Sequence, residues 1–219
     1  MFVKICGITN EQDALLAVAL GADALGFVFA DSKRQISSDI ARDIINRVPK
    51  EIMTIGVFKN QPIEVVDRII TKTGLQGAQL HGDESIEATQ WLSERVPFVV
   101  KAFSAGSPMV GFANRFRANA ILIDGKSPGS GQVFDWTLVE GVPPVQKLIL
   151  AGGLNCTNVA EAIRSVRPWG LDVSTGVETS PGRKDPRKLR RFIEIVRSFE
   201  QQDEKLTTGD LYDWEEEPW

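Results

Sequence analysis

Two residues near the start of the chain have the chemistry needed to move a proton. Side chains alternate across a β-strand, so in the apolar run 2–6 the side chains of Lys4 and Cys6 share one face, while Val3 and Ile5 share the other. A cysteine that ends a strand is most often a small core residue. A neighbouring cation and the start of the following helix would both lower the pKa of the thiol and favour the thiolate. Cys6 is therefore a candidate base.

Asp124 is the candidate acid. It ends the apolar run 120–124, and its side chain shares a face with Leu122. If this run is the sixth strand of a ring whose first strand carries Cys6, the two side chains face each other across one cavity. Such a pair suits an isomerase, which removes a proton from one atom and adds one to another. An aspartate at a strand end could equally cap the loop that follows, and the sequence leaves both readings open.

Two glycine-containing segments predict a phosphate site. The segments 151–154 and 174–177 follow the last two of eight short apolar runs in the chain. If these runs are the strands of a (β/α)8 barrel, these are the positions from which such barrels commonly bind phosphate, through backbone N–H groups and a short helix. One glycine pair would be weak support, because glycine often serves only a tight turn. Two such segments in these positions give stronger support for a phosphate site. The predicted phosphate-binding residues are Gly152, Gly153, Ser174, Thr175 and Gly176.

The elements that must position these residues follow a repeating pattern. Eight short apolar runs each precede a segment with helical spacing, which is typical of βα units on a parallel sheet. The predicted strands are 2–6, 24–29, 53–58, 77–81, 98–102, 120–124, 148–151 and 171–174. Eight units close a single (β/α)8 (TIM) barrel. An open doubly wound sheet is the main alternative, but its usual five or six strands would leave some runs unused.

Capping residues mark several predicted helix boundaries. Asn10, Ser37, Asp83 and Asp185 precede segments with helical spacing, and Pro186 follows the last of these caps. Gly21 and Gly74 stand where the first and third helices end, and glycine readily takes the left-handed conformation found there. The last predicted helix ends at Phe199.

Composition and charge limit the classes of function. The 219 residues are 42% hydrophobic and 25% charged, ordinary proportions for one soluble globular domain. The net charge is −4: the segment 201–219 carries −6 and the body from 1 to 200 carries +2, so the body is nearly neutral. The body has no basic stripe for a phosphate backbone, so no nucleic acid partner is expected. The domain prediction is a barrel over 1–200 and an acidic, disordered tail over 201–219.

Cysteine usage and the chain start indicate the compartment. Cys6 and Cys156 are the two cysteines, and neither lies in a zinc-binding or disulfide pattern; Cys156 is interpreted as structural. The chain opens without a signal-peptide pattern, and its apolar stretches are too short and broken to span a bilayer. A cytoplasmic location without membrane partners is expected. A monomer or a homodimer is compatible with the sequence.

The chain also resembles a known family. An ordered set of motifs is similar to that of the phosphoribosylanthranilate isomerases over roughly residues 2–199. Each motif is weak alone, but their order is specific. They are Lys4-Ile5-Cys6-Gly7-Ile8-Thr9, Gly26-Phe27-Val28-Phe29 with Ser32-Lys33-Arg34-Gln35-Ile36, Gln79-Leu80-His81-Gly82, Gly129-Ser130-Gly131 with Phe134-Asp135-Trp136, Leu150-Ala151-Gly152-Gly153-Leu154, and Asp172 to Glu178 ending in Pro181-Gly182-Arg183-Lys184-Asp185.

The resemblance implies an activity and roles for site residues. It implies a cofactor-independent Amadori rearrangement of N-(5′-phosphoribosyl)anthranilate to 1-(2-carboxyphenylamino)-1-deoxyribulose 5-phosphate in tryptophan biosynthesis. Cys6 would be the general base and Asp124 the general acid. Arg34 would hold the anthranilate carboxylate, although alone it reads as a solvated cation. His81, the one histidine, is interpreted as a substrate-binding residue, a wall or hydrogen-bonding residue of the pocket, rather than the base.

Two further substrate contacts and two alternatives remain. Asp172 matches a family residue near the substrate, but it could equally be a buried partner of Lys4, which is the other predicted substrate-binding residue.

The related isomerase of histidine biosynthesis, which uses a substrate with two phosphates, is less favoured because the loops after the third and fourth strands lack a phosphate pattern. A non-catalytic phosphate-binding module is disfavoured because both Cys6 and Asp124 are present.

Overall fold

Eight parallel strands form a closed barrel in which each strand pairs with the next and the eighth pairs with the first. The computed structural model describes residues 1–125, 135–139 and 147–208. The strands are β1 (Phe2–Cys6), β2 (Ala24–Val28), β3 (Met53–Phe58), β4 (Gly77–Leu80), β5 (Phe98–Ser104), β6 (Ala120–Asp124), β7 (Leu148–Leu150) and β8 (Gly170–Val173). The predicted TIM barrel is thereby confirmed, and the strand bounds differ from the predicted ones by at most two residues.

Six α-helices surround the barrel in the described part of the chain. They are α1 (Glu11–Ala19), α2 (Ser38–Ile45), α3 (Ile63–Thr73), α4 (Ile86–Ser93), α5 (Val159–Val166) and α6 (Pro186–Thr208). After β5 and β6 the structure has 3₁₀ segments, Pro108–Phe116 and Trp136–Val139, where the repeating pattern predicts helices. Gly111 within the first of these weakens an α-helix by about 1 kcal/mol relative to alanine. A short antiparallel hairpin, β9 (Glu178–Ser180) and β10 (Arg183–Lys184), separates β8 from α6.

Most of the predicted helix caps are present. The side chain of Asn10 accepts a hydrogen bond from the backbone N–H of Asp13, and Ser37 does the same for Ile40. Asp185 accepts from the backbone N–H groups of Arg187 and Lys188 at the start of α6. Gly74 ends α3 in the left-handed conformation with φ of 74°. These local signals fix where each helix begins or ends around the barrel.

The cap predicted at Asp83 is wrong. Helix α4 begins at Ile86, and its cap is Ser85, which accepts from the backbone N–H of Ala88. The preceding Glu84 is not helical because its carboxylate is bound elsewhere, 2.9 Å from Nζ of Lys101 on β5. Both side chains of this ion pair are almost completely buried. A long-range ion pair therefore moves the start of the helix beyond the position that the local sequence favours.

Alternate residues of the strands fill the barrel interior. Fully buried side chains from neighbouring strands meet there, namely Ala24, Ile55, Val100, Leu122 and Ile149. The intervening residues, such as Val99 and Ile121, point outward and pack against the helices. Burying an aliphatic side chain of this size stabilises the fold by roughly 1.5–3 kcal/mol. The interior of the barrel is thus a packed core.

Three aromatic rings fill the N-terminal end of the barrel. Phe2 stacks on Trp169 with ring centroids 4.6 Å apart, and Phe98 lies 6.4 Å from each of these two rings. All three side chains stand at the starts of strands or just before them. Polar side chains are found instead at the opposite end, which is where a ligand can enter.

The C-terminal segment is only partly described. Helix α6 reaches Thr208, beyond Phe199, the predicted end of this helix. Residues 209–219 lie outside the described residues, so the disordered tail stays a prediction there. Among the described helices, none combines the length and the apolar character that crossing a bilayer requires.

Candidate active site

A cavity of about 220 Å³ lies at the C-terminal ends of the strands. Its walls come from residues far apart in the sequence, which the closed barrel brings together. Every predicted site residue except Lys4 lines it, namely Cys6, Arg34, His81, Asp124, Gly152, Gly153, Asp172, Ser174, Thr175 and Gly176. The predicted acid, base and phosphate loops therefore share one chamber.

Lys4 lies beneath the cavity rather than in its wall. Its side chain is fully buried, and its Nζ is 2.9 Å from Oδ1 of Asp172, its register partner on β8. Burial alone would lower the pKa of Lys4, but the attraction of Asp172, and of Cys6 in its thiolate form, outweighs it and raises the pKa. The structure thus gives the buried partnership that the sequence left open, in place of the expected contact between Lys4 and substrate. Asp172 itself still reaches the cavity.

Cys6 ends β1 in a tightly confined position. A Cβ atom placed on Gly26, its register partner on β2, would lie 2.8 Å from Cys6 Sγ and 2.9 Å from Lys4 Nζ. The side chain is buried, with 8% of its surface exposed toward the cavity that it lines. The absence of a side chain at position 26 therefore leaves the space that the sulfur and the ammonium group occupy.

The electrostatic surroundings of Cys6 differ from the expectation. Burial raises the pKa of the Cys6 thiol above its ordinary value of 9.0; Lys4 and Lys184 act in the opposite direction without outweighing burial. The predicted influence of a helix N-terminus is absent at this position, because α1 begins only at Glu11, after its cap Asn10. Burial therefore favours the thiol, and the two cations favour the thiolate that a base requires.

Asp124 ends β6 and faces the single histidine. Its Oδ1 accepts a hydrogen bond of 2.7 Å from the backbone N–H of Gly125. Its Oδ2 lies 3.4 Å from Nε2 of His81, and the other ring nitrogen, Nδ1, lies 2.8 Å from Nε2 of Gln79. Asp124 does bind its own loop, as one reading of the sequence allowed, but it also lines the cavity. The two readings are compatible in this structure.

Arg34 is held in the cavity wall by Glu178, a residue for which the sequence predicted no individual role. Its Nε and Nη2 lie 2.9 and 2.7 Å from Oε1 and Oε2 of Glu178, and Nη2 also donates to Oγ1 of Thr175 at 3.1 Å. Hydrogen bonding to Glu178 raises the pKa of Arg34. The guanidinium is therefore a fixed cation, suited to a carboxylate entering the cavity.

Glu178 and Lys184 form the support behind Arg34. Nζ of the buried Lys184 donates to Oε1 of Glu178 at 2.9 Å and to the backbone oxygen of Cys6 at 2.5 Å. Burial alone would raise the pKa of Glu178, but Arg34 and Lys184 lower it. Glu178 and Lys184 both occur in the family motif, but the ion pair of Glu178 with Arg34 spans 144 positions and has no local signal.

The predicted phosphate loops have backbone conformations that require glycine. Gly152 and Gly153 have φ of 82° and 70°, in the left-handed region. A Cβ on Gly176 would lie 1.9 Å from the backbone oxygen of Leu154, so the two loops touch where glycine alone fits. The loop after β8 leads into the hairpin β9–β10 rather than into the short helix that such sites commonly contain.

Ser174 carries an unused polar atom in this region. Its Oγ is buried and has no hydrogen-bond partner among the described residues, although the residue lines the cavity. A buried hydroxyl without a partner costs roughly 1–3 kcal/mol. A ligand oxygen entering the cavity can supply the missing hydrogen bond. Within the described residues, histidine, cysteine and carboxylate side chains form no group of three or more that could hold a metal ion.

Comparisons with known proteins identify the family of this chain. The model of the family described as N-(5′-phosphoribosyl)anthranilate (PRA) isomerase matches residues 3–195. The N-(5′-phosphoribosyl)anthranilate isomerase of Oceanobacillus iheyensis is 46% identical over 204 residues, which cover 90% of this chain and 97% of that protein. The crystal structure of phosphoribosyl anthranilate isomerase from Thermus thermophilus has a TM-score of 0.85 at 40% identity, covering 91% of this chain and 100% of that one.

A second solved structure adds a ligand. This phosphoribosyl anthranilate isomerase, in complex with reduced 1-(o-carboxyphenylamino)-1-deoxyribulose 5-phosphate, has a TM-score of 0.80 at 40% identity and covers 90% of this chain and 99% of that one. The motif of Gly129, Ser130 and Gly131 lies outside the described residues. The family match nevertheless spans almost the whole barrel, including every strand that carries a residue of the cavity. This chain belongs to the N-(5′-phosphoribosyl)anthranilate isomerase family.

Proposed function

We propose that this isomerase converts N-(5′-phosphoribosyl)anthranilate into 1-(2-carboxyphenylamino)-1-deoxyribulose 5-phosphate in tryptophan biosynthesis, with Cys6 as general base and Asp124 as general acid. The observation that carries the proposal is the shared cavity, whose walls include a thiol, a carboxyl group, a fixed guanidinium and two glycine loops. These groups match the parts of one substrate: a reacting sugar, an anthranilate carboxylate and a phosphate.

The chemistry proceeds in two proton transfers. Asp124 gives a proton to the furanose ring oxygen, the C1′–O bond breaks, and the nitrogen lone pair forms a Schiff base at C1′. Cys6, as the thiolate, then removes the proton from C2′ and leaves an enolamine. Tautomerisation of the enolamine gives the aminoketose. The reaction is an isomerisation, so it needs no oxidant and no reductant.

The cations around Cys6 support its assignment as the base. Lys4 and Lys184 both lower the pKa of the thiol against the effect of burial, and the backbone oxygen of Cys6 accepts from Lys184. A thiolate in this position is more basic than an exposed one, because burial disfavours its charge. Such a group removes a weakly acidic C–H proton more readily once it has formed.

A single phosphate site is supported by the loops on the other side of the barrel. The backbone N–H groups of Asn60 and Gly82, which follow β3 and β4, donate to the carboxylate of Glu84 at 2.9 to 3.1 Å. Lys101 pairs with the same carboxylate. The chain's own anion thus occupies these donors, which disfavours the related isomerase reaction on a substrate with two phosphates.

Turnover of freshly prepared phosphoribosylanthranilate, followed through the loss of anthranilate fluorescence, tests the proposal. Cys6→Ala and Asp124→Ala should each lower kcat by about 10²–10⁴-fold, because each group acts in the transition state. KM should change little. Cys156→Ala and Asp43→Ala make the same chemical changes away from the cavity and should behave like the unmodified protein. Wild-type turnover in either cavity variant would disprove the role given to that residue.

A further inference from the structure

Gln79 is a buried polar residue whose amide has one hydrogen-bond partner among the described residues. It lies on β4, points into the barrel and lines the cavity with 1% of its surface exposed. Its Nε2 is 2.8 Å from Nδ1 of His81, while its Oε1 is buried without a hydrogen-bond partner among the described residues. An apolar side chain would avoid the cost of this unpaired oxygen. The amide is therefore best explained by what its nitrogen does.

The amide contact decides where His81 carries its proton. In a neutral imidazole one ring nitrogen is a donor and the other an acceptor. If Gln79 Nε2 donates to Nδ1, the ring proton is on Nε2, the nitrogen that lies 3.4 Å from Oδ2 of Asp124. The same contact disfavours a second proton on Nδ1, because two donors would then face each other at 2.8 Å.

The charge of His81 matters for an acid at position 124. An imidazolium 3.4 Å away would hold Asp124 as a carboxylate, and a carboxylate cannot protonate a ring oxygen. A neutral imidazole supplies no charge, so it opposes protonation of the carboxyl group much less than an imidazolium would. Nε2 of His81 lies 3.4 Å from Oδ2 of Asp124, and the backbone N–H of Gly125 donates to Oδ1 at 2.7 Å, so each carboxyl oxygen has a donor nitrogen beside it.

We propose that Gln79 and His81 are positioning residues for the acid step: the Gln79 amide keeps His81 as the neutral Nε2–H tautomer, which orients Asp124 without adding a charge. The inference rests on the proposed function, since it concerns the proton that Asp124 donates there. Neither residue needs to touch the reacting atoms. The other titratable side chains that line the cavity are Cys6, Asp31, Arg34, Lys59 and Asp172, and they are unchanged in the variants below.

The tautomer can be measured directly because the chain contains one histidine. Untagged protein labelled with ¹⁵N-histidine gives the state of both ring nitrogens in a long-range ¹H–¹⁵N correlation spectrum. At neutral pH we expect Nδ1 to have the shift of an unprotonated nitrogen and Nε2 that of a protonated one. An imidazolium, or a neutral ring protonated on Nδ1, would overturn the inference without any variant.

Gln79 variants connect the spectrum with turnover. Gln79→Glu places an acceptor beside Nδ1 and should raise the imidazolium fraction; Gln79→Met removes the donor at similar volume and serves if the buried glutamate prevents folding. In each folded variant kcat should fall by about 10–10²-fold, which is less than the loss expected when the acid itself is removed. KM should change little. Gln90→Glu, on α4 where the amide donates to the backbone oxygen of Arg115, should alter neither spectrum nor kcat.

The two measurements separate this inference from the proposed function. A folded Gln79 variant with the wild-type histidine spectrum, or with a changed spectrum and unchanged kcat, would contradict the positioning role. If the unmodified protein fails to turn over phosphoribosylanthranilate, the proposed function fails, whatever the tautomer. If it turns over substrate but His81 is an imidazolium, only the positioning role fails.

Discussion

The guanidinium of Arg34 and the carboxylate of Glu178 meet fork to fork in the cavity wall, through hydrogen bonds of 2.7 and 2.9 Å. The same carboxylate binds Lys184, whose side chain is completely buried. Glu178 therefore balances two cations at once. Removing one partner of a buried ion pair costs more than the pair contributes, because the remaining charge has no compensation.

Glu178→Gln is predicted to lower the free energy of unfolding by about 3–5 kcal/mol at neutral pH, mainly because Lys184 loses its counterion. Urea denaturation of the variant and the unmodified protein measures the difference. Glu161→Gln, an exposed change on α5, is the matched control and should stay within about 0.5 kcal/mol. A loss no larger than that of the control would contradict the balancing role.

The difference in the free energy of unfolding between Glu178→Gln and the unmodified protein should depend on pH. The folded pKa of Glu178 is lowered below its ordinary value of 4.5, so its carboxylate stabilises the fold fully above that value. This contribution is lost as the pH falls from about 4.5 through the lowered folded value. The denaturation midpoints of Glu178→Gln and the unmodified protein should therefore converge in acid. A gap that stays constant down to acid unfolding would show that another interaction causes it.

Arg34→Ala is predicted to raise KM with a smaller effect on kcat. Hydrogen bonds between charged groups contribute about 1.5–3 kcal/mol, so the loss of carboxylate binding should raise KM by roughly tenfold to 100-fold. Lys184 still pairs with Glu178 in this variant, so the fold should persist. Arg68→Ala on α3 removes an exposed arginine as the control. An unchanged KM for Arg34→Ala would show that Arg34 does not bind the substrate carboxylate.

The titration of Cys6 is predicted to lie above the ordinary thiol range. Burial raises the pKa of its thiol above 9.0 and outweighs the attraction of Lys4. The ultraviolet absorbance of the thiolate, taken as the difference between the unmodified protein and Cys6→Ser, isolates this group from Cys156. Lys4→Met should move the midpoint to still higher pH, because it removes a neighbouring cation. A midpoint at or below 9.0 in the unmodified protein would contradict the structure.

The architecture could be predicted from the sequence because its signals are local. Alternation within each strand placed Cys6 and Asp124 on inward faces, and the order of the eight strands placed both at one rim. The caps at Asn10 and Ser37 depend on neighbouring backbone groups and were predicted correctly. The glycines at 152 and 153 could be singled out because glycine readily takes a positive φ.

The interactions that tune the site could not be predicted in the same way. Glu178 reaches Arg34 across 144 positions, and Lys101 on β5 reaches Glu84 in the loop after β4, so neither pair has a sequence spacing that identifies it. The protonation of Cys6 depends on the competition between burial and two cations, Lys4 and Lys184. The strand pattern in the sequence predicted the influence of Lys4 alone. Long-range ion pairs and burial are defined by the closed barrel, whereas the order of the strands and the capping residues can be identified in the sequence itself.

Gly26→Ala is predicted to impair catalysis more than folding. The new Cβ would stand 2.8 Å from Cys6 Sγ and 2.9 Å from Lys4 Nζ, and both atoms end side chains that can shift. Overpacking of this kind costs about 1–3 kcal/mol. A displacement of the sulfur near 1 Å can lower kcat by about 10²-fold, because the base no longer meets the C–H bond. Gly111→Ala is the control, since its Cβ would meet nothing within 4 Å. Full kcat in folded Gly26→Ala would show that the position of the sulfur is not critical, and the base assignment of Cys6 would lose its geometric support.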